Sequence, residues 1–93
     1  MKHRTTTTII AQILRLASQR ISKSRIMYGA FLSHHQVQLY LQTLMERGLI
    51  AKEKTCNAYI TTDKGLHFLE LYGQMEEYLP NLTWRHDNVL TNP

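Results

Sequence analysis

Residues 32–50, LSHHQVQLYLQTLMERGLI, carry a complete set of signals for one helix followed by a strand. Ser33 can cap the first turn through its hydroxyl, and the amide of Gln36 stands where it can reach back in a capping box. Apolar residues then follow the i, i+3, i+4, i+7 spacing of a helix with one buried stripe: Val37, Tyr40, Leu41 and Leu44. Gly48 tolerates the left-handed conformation that ends a helix, and an apolar β-type run follows it. The segment therefore predicts a helix over residues 33–47 that leads directly into a strand.

The side of this helix opposite the apolar stripe is mostly uncharged and able to form hydrogen bonds. At 100° per residue it carries His35, Gln38, Leu39, Gln42 and Glu46. An ordinary solvated face usually carries Lys and Glu, so the composition favours a recognition surface. Gln38 and Gln42 are the best candidates for reading bases, because an amide can bond adenine in a bidentate way and Leu39 between them can touch a thymine methyl.

Charge is divided unevenly along the chain. The sequence has 11 Lys and Arg and 7 Asp and Glu, a net charge of +4. Residues 1–62 hold nine of the basic residues and two of the acidic ones, a balance of +7, whereas residues 63–93 hold two basic and five acidic residues, a balance of −3. A basic surface attracts phosphates and releases condensed counterions on binding. We therefore expect the first two-thirds of the chain to face double-stranded DNA.

The pattern before residue 33 predicts two further helices. Threonines at positions 5–8 offer caps for a first helix over residues 8–19, and Ser24 can cap a second over residues 25–31. The second helix would turn Ile26, Met27, Ala30 and Phe31 towards the core. Only Leu32 then intervenes before Ser33, which is the tight junction of a helix-turn-helix.

A hairpin follows the third helix, with candidate strands over residues 50–54 and 58–61 and a tip between them. Ile50, Lys52 and Lys54 alternate with other residues and cannot all lie on a buried face. Winged versions of the helix-turn-helix carry such a hairpin, the wing, after the second helix of the pair. The lysines are therefore expected on an exposed wing, where they can also keep an edge strand from pairing with other chains.

Six residues are candidate phosphate and wing contacts. They lie at the start of the second helix or on the hairpin, and they are Lys23, Arg25, Lys52, Lys54, Thr55 and Asn57. Phosphate contacts hold a protein in register on a duplex, whereas base contacts specify the sequence.

The last predicted helix begins at Thr62 or Asp63, ends at Pro80 and is more apolar than one core requires. A 4, 3, 4 spacing, typical of a coiled-coil seam, connects Phe68, Tyr72, Met75 and Leu79. Other leucines of the helix point in other directions, so two apolar faces are expected. One would cover the chain's own first helix and hairpin, and the other would form a symmetric homodimer. The alternative is a helix buried on both sides within a monomer.

Three regions follow from these patterns: residues 1–62 as a winged helix-turn-helix DNA-binding region, residues 63–80 as a dimerisation helix and residues 81–93 as a polar tail. In that tail Trp84 is expected to fold back on the domain or on its partner. The fold class is mainly α with a small β-hairpin. Ninety-three residues fit one small domain.

Several other classes find no support in the residues. The single cysteine, Cys56, cannot form an internal disulfide, and no HxxxH or HExxH spacing favours a metal site. No phosphate-binding glycine loop and no nucleophile with an evident base point to an enzyme, so neither cofactor nor small-molecule substrate is expected. Residues 1–10 lack the apolar stretch of a signal peptide, and no run of 18 apolar residues could span a membrane. A cytoplasmic, nucleoid-associated location is the expectation.

Three segments resemble a known family, the small archaeal winged-helix DNA-binding proteins that dimerise through a C-terminal antiparallel helix pair and are described as chromatin or transcription-associated. The segments are SRIMYGAFLS (residues 24–33), Gln36 with YLxxLxxxGLI (residues 40–50) and YITTDKGLHFLELY (residues 59–72). The resemblance covers residues 9–79. It implies that the helix after Ser33 reads DNA, that residues 54–57 form the wing tip and that the last helix is the dimer seam.

The expected function is therefore that of a dimeric DNA-binding protein, a transcriptional regulator. Its third helix would read the major groove while the wing holds phosphates. Two alternatives stay open: a nonspecific, architectural DNA binder of chromatin, and a winged-helix module that binds another protein and has no role on DNA.

Overall fold

The computed structural model describes residues 4–78, which form four helices and a three-stranded antiparallel sheet. In chain order the elements are α1 (Thr6–Ala17), β1 (Ile21–Ser22), α2 (Lys23–Gly29), α3 (His34–Glu46), β2 (Ile50–Lys52), β3 (Ala58–Thr61) and α4 (Asp63–Tyr78). The strands lie in the order β1-β3-β2. The predicted class, mainly α with a small β-hairpin in a winged helix-turn-helix arrangement, is confirmed.

Helix α3 begins and ends as its sequence predicts. The Ser33 hydroxyl accepts a hydrogen bond from the Gln36 backbone N–H at 3.1 Å, and the Gln36 side chain accepts one from the Ser33 N–H at 2.9 Å. These two bonds make the capping box. Gly48 follows the helix with a φ of +74°, and the Leu49 N–H then donates to the Leu44 carbonyl at 2.9 Å. This bond is part of the Schellman motif that ends a helix at a glycine.

Helix α2 begins and ends two residues earlier than predicted. Its cap is Ser22 rather than Ser24, because the Ser22 hydroxyl accepts a bond from the Arg25 N–H at 3.3 Å. The helix ends at Gly29, and Phe31 follows in the left-handed region with a φ of +55°. The expectation that Phe31 packs in the core is therefore wrong, since its side chain is exposed.

The sheet has one strand more than the predicted hairpin. β1 lies between the first two predicted helices, where no strand was predicted, and it pairs with β3 through Ile21 opposite Tyr59 and Ser22 opposite Ala58. β2 ends at Lys52 rather than at residue 54, while β3 has its predicted bounds. Residues 53–57 form the connection, which is closed by a 2.7 Å bond from the Glu53 N–H to the Ala58 carbonyl.

The core lies between the first three helices and the inner face of the sheet. Its fully buried side chains come from α1, α2 and α3, and the largest of them are Ile13, Leu14, Ile26, Val37, Leu41 and Leu44. One polar bond crosses this core, from the Thr61 hydroxyl to the Leu14 carbonyl at 2.7 Å. A buried carbonyl without such a donor would be costly, so the bond fixes β3 against α1.

Helix α4 packs along α1 of its own chain. Tyr72 is only 8% exposed, its hydroxyl lies 3.1 Å from that of Thr8, and the Arg15 guanidinium lies 5.5 Å from the centre of its ring. Phe68 and Leu69 are half-buried against the core. The helix therefore completes the domain through one of its faces.

The expectations for Leu79, for the stop at Pro80 and for the tail with Trp84 concern residues outside the described range. None of the helices within residues 4–78 combines the length and apolar character that a membrane crossing requires.

Candidate nucleic-acid interface

A groove of about 420 Å³ lies between the outward face of α3 and the hairpin of β2 and β3. Residues from α2, α3, β2, β3 and the hairpin loop line it: Lys23, Gln38, Leu41, Gln42, Met45, Lys52, Asn57 and Tyr59. Five of these eight are among the contact residues predicted from the sequence. Residues spread over positions 23–59 of the chain are thus brought to one concave surface.

On one side of the groove, Lys23 and Gln38 interact directly. The Lys23 ammonium donates a short hydrogen bond to the side-chain oxygen of Gln38. This bond orients the amide, so that its NH₂ group points away from Lys23. The same lysine remains able to donate two further bonds, since an ammonium group carries three N–H donors.

On the opposite side, Lys52 lies over Tyr59. The two residues are paired across β2 and β3, and the Lys52 ammonium lies 5.9 Å from the centre of the Tyr59 ring. Tyr59 is buried and belongs to the core cluster, so this contact restrains the lysine on an exposed edge strand.

The acidic residue of the wing is neutralised within the fold. Arg20, which turns the chain from α1 into β1 with a φ of +58°, forms a 3.0 Å ion pair with Glu53. Glu53 also accepts a bond from the Cys56 thiol at 3.0 Å. At the end of the loop, Asn57 adopts a φ of +53°, a conformation that asparagine tolerates better than most residues. The lysines of the wing are therefore left with no unpaired carboxylate on their own hairpin.

The remaining predicted contact residues lie on the surface but do not line the groove. His35 and Leu39 are exposed on α3, Arg25 is exposed on α2, and Lys54 and Thr55 are exposed in the loop of the hairpin. Three lining residues were not predicted: Leu41, Met45 and Tyr59. The sequence does contain a signal for Met45, which follows Gln38 and Gln42 by seven and three residues and so shares their helix face.

The predicted dimer seam of α4 is only partly exposed. Phe68 and Tyr72 pack against the chain itself, whereas Met75 is exposed. Spacings of four and three residues connect Met75 with two other exposed apolar residues, Leu71 and Tyr78. These three residues, Leu71, Met75 and Tyr78, form one exposed apolar row, called here the α4 stripe, while Leu66 is exposed on another side of the helix.

Within the described range, no three His, Cys, Asp or Glu side chains come together in the way a metal site requires. Every buried side-chain nitrogen and oxygen in this part of the chain has a hydrogen-bond partner.

A family model described as winged helix-turn-helix matches residues 3–80. The chain belongs to the winged helix-turn-helix family. The solved structures to which it is similar include Sso10a-2, a DNA-binding protein from Sulfolobus solfataricus, with 24% identity and a TM-score of 0.70 over 97% of this chain and all of that one. A mutant form of ZitR from Lactococcus lactis is similar with 20% identity and a TM-score of 0.65, over 85% of this chain and 60% of ZitR. No match was found among curated proteins.

Within this winged helix-turn-helix, the roles of the elements follow from their order. Helices α2 and α3 are the helix-turn-helix pair, and β2, β3 and residues 53–57 are the wing. The groove thus lies between the second helix of the pair and the wing, the two elements that this fold presents on one side.

Proposed function

We propose that this winged helix-turn-helix protein binds double-stranded DNA as a homodimeric transcriptional regulator in the cytoplasm, at the nucleoid. Helix α3 reads the major groove, and the wing and the start of α2 hold phosphates. One observation carries the proposal: Lys23, Gln38, Gln42, Lys52 and Asn57, from three separate parts of the chain, line a single groove. That groove combines two exposed amide side chains of α3 with one ammonium group from α2 and one from the wing. The similarity to Sso10a-2, which is a DNA-binding protein, supports the same assignment.

The electrostatics of the groove favour a polyanion. Lys23 and Lys52 line it directly, and Lys54 extends the positive charge along the wing. Glu53, the carboxylate of the hairpin, is held in its ion pair with Arg20. Phosphates are therefore attracted from both edges of the groove, and each contact releases about 0.9 counterion per phosphate of B-DNA.

Sequence preference would come from the amides on α3. The major groove is about 12 Å wide and admits a helix, and an amide can bond adenine through N7 and N6. In Gln38, the NH₂ group can donate to adenine N7, and the oxygen that accepts from Lys23 keeps a second lone pair for the N6 amino group. Leu39 and Gln42 are exposed beside Gln38. A face of amides and one leucine favours a sequence-preferring regulator over a nonspecific packing protein, which needs only charge.

The α4 stripe is the proposed dimer surface. Leu71, Met75 and Tyr78 are exposed on one side of the helix, while its other side is occupied by α1. A second copy that covers the stripe would form a symmetric interface, because the same residues would meet on both protomers. Two α3 helices would then be presented to one duplex.

The assay for this function is the salt dependence of duplex binding, with two lysine variants. Lys52→Met removes a charge from the groove, while Lys64→Met removes a charge whose ammonium donates to the Arg47 carbonyl at 2.7 Å, at the start of α4. Fluorescence anisotropy with a labelled duplex gives log K against log salt concentration for each protein. Because each of the two protomers loses one phosphate contact, Lys52→Met is expected to reduce the slope by about 0.9 per protomer, or about 1.8 for the dimer. Lys64→Met is expected to leave the slope unchanged.

Two outcomes would contradict the proposal. If duplex DNA causes no anisotropy change at low salt, the protein-binding alternative is favoured. Equal slopes for wild type and Lys52→Met would place the phosphate contacts elsewhere on the surface.

A further inference from the structure

Phe31, in the turn between α2 and α3, combines two features that the fold itself does not require. Its side chain is 80% exposed, and its backbone has a φ of +55°. The left-handed region is unfavourable for bulky residues and is usually occupied by glycine or asparagine. One turn earlier, on α2, Tyr28 is 73% exposed. Two aromatic rings therefore project into solvent where the chain would accept a smaller residue more readily.

The conformation of this turn is fixed by groups other than the ring. The Arg4 guanidinium donates to the Ala30 carbonyl at 2.6 Å and to the Phe31 carbonyl at 3.2 Å. The Leu32 N–H donates to the Met27 carbonyl at 2.9 Å, and the Leu32 side chain is buried. These bonds would be made by any residue at position 31. The phenyl ring thus adds little to the stability of the fold, while its backbone conformation lowers that stability.

The position of the turn places both rings at the beginning of α3. Phe31 precedes the cap residue Ser33 by two positions, so their Cα atoms lie at most about 7 Å apart. Tyr28 follows Arg25 by three residues, which puts the phenol and the guanidinium on the same side of α2. If α3 enters the major groove, its N-terminal end and the turn before it are close to the duplex.

The charge around the two rings is complementary to phosphate. The sequence contains no Asp or Glu from Arg4 to Met45, so α1, α2, the turn and most of α3 carry no carboxylate. Among the nearby basic and imidazole side chains in the sequence, Arg25 precedes Tyr28 by three residues. His34 and His35 follow Phe31 by three and four residues. An acidic protein surface would also fit basic groups, but it would not explain why the rings lie at the end of the proposed reading helix.

We infer that Phe31 and Tyr28 form an aromatic contact with duplex DNA beyond the N-terminal end of α3, against the sugars and base edges at the border of the major groove. This inference rests on the proposed function and deepens it. Because the Phe31 ring carries neither a charge nor a hydrogen-bonding group, it contributes affinity without salt dependence and with little sequence preference.

The experiment compares Phe31→Gly, Phe31→Asn and Phe31→Tyr in the full chain. Gly and Asn remove the ring and suit the positive φ, so both variants should unfold at the wild-type temperature or above it. Their affinity for a labelled random-sequence duplex should fall about fivefold to tenfold, the effect expected if about 40–55 Å² of the ring's apolar surface is buried against DNA. The slope of log K against log salt should stay unchanged, since no phosphate contact is lost. Phe31→Tyr keeps the ring and should keep the affinity.

Undiminished affinity of Phe31→Gly would overturn the inference, and so would an equal loss in Phe31→Tyr. If the wild-type protein binds no duplex, the proposed function itself is wrong. If the wild-type protein binds and Phe31→Gly binds equally well, only the aromatic contact is wrong. Analytical ultracentrifugation of Phe31→Gly without DNA supplies one more test. A change in its association state would assign the rings to a contact between copies of the chain and overturn the DNA contact.

Discussion

Replacing Gly65 by alanine tests how closely the start of α4 approaches the segment that carries the wing. Gly65 is buried in the first turn of α4. A Cβ atom at this position would overlap the backbone oxygen of Leu49 and lie 2.5 Å from Cγ2 of Thr61. The Leu49 oxygen cannot move freely, because it accepts a hydrogen bond from the Thr62 N–H at 3.1 Å. The added methyl group must therefore displace backbone on one side and a buried strand residue on the other.

The expected magnitude follows from two opposing terms. Overpacking of a well-packed site usually costs about 1–3 kcal/mol, and a clash with backbone belongs at the upper end. The preference of a helix for Ala over Gly offsets up to about 1 kcal/mol of this cost in the free energy of unfolding. Gly65→Ala should thus lower the free energy of unfolding by about 2 kcal/mol, which corresponds to a midpoint about 10 °C lower in a domain of this size.

Gly73, in the same helix, is the matched control. A Cβ atom at Gly73 would meet no other atom within 4 Å. Gly73→Ala should therefore raise the midpoint by a few degrees through helix preference alone. Thermal unfolding followed by far-ultraviolet circular dichroism, at equal protein concentrations, measures both variants. If Gly65→Ala unfolds at or above the wild-type temperature, the close approach of α4 to Leu49 is refuted.

Three further predictions concern the core bond, base reading and the dimer. Thr61→Val should lower the free energy of unfolding by about 1–3 kcal/mol, because the buried Leu14 carbonyl loses its donor, whereas Thr61→Ser should retain most of the stability in urea denaturation. Gln38→Ala should weaken binding to a selected A·T-containing site by about 1–3 kcal/mol and binding to random duplex much less; equal losses would show that Gln38 reads nothing. Leu71→Glu, on the α4 stripe, should shift the protein towards monomer in sedimentation equilibrium. Leu66→Glu changes an exposed leucine on another side of α4 and should leave the association unchanged. If neither variant changes the association, the stripe is not the dimer surface.

The elements that the sequence predicts best are those whose signals are local. Helix α3 has its cap, its apolar stripe and its glycine stop within 16 residues, and the structure places each as expected. β1 has only two residues, too few for an alternating pattern. It forms because β3, more than 35 residues later, offers a free edge. A pairing between strands so far apart in the sequence produces no pattern within a short segment of the chain.

The turn at Phe31 escaped prediction for a different reason. Apolar residues at positions 26, 27, 30 and 31 fit a continuing helix, and no glycine or asparagine marks the left-handed residue. The conformation depends instead on the Arg4 side chain, which reaches the turn from the N-terminal end of the chain. Local turn chemistry could not have indicated it.

The site was predictable in its polar residues but less so in its shape. The outward face of α3 and the lysines of the wing followed from helical and strand periodicity. The groove also needs Tyr59, which is buried beneath Lys52 and which the strand predicted over residues 58–61 did not single out. For α4, the 4, 3 spacing correctly marked apolar residues, but spacing alone does not reveal the partner. Tyr72 faces Thr8 of its own chain.

Two-dimensional NMR of the isotope-labelled protein, with duplex DNA added at low salt, shows directly whether the groove binds DNA. If it does, the largest changes in amide chemical shift will lie at the residues lining the groove, Lys23, Gln38, Gln42, Lys52 and Asn57, while the amides of α4 remain nearly unchanged. Changes concentrated on α4, or no change at any DNA concentration, would contradict the assignment of the groove as a DNA-binding surface.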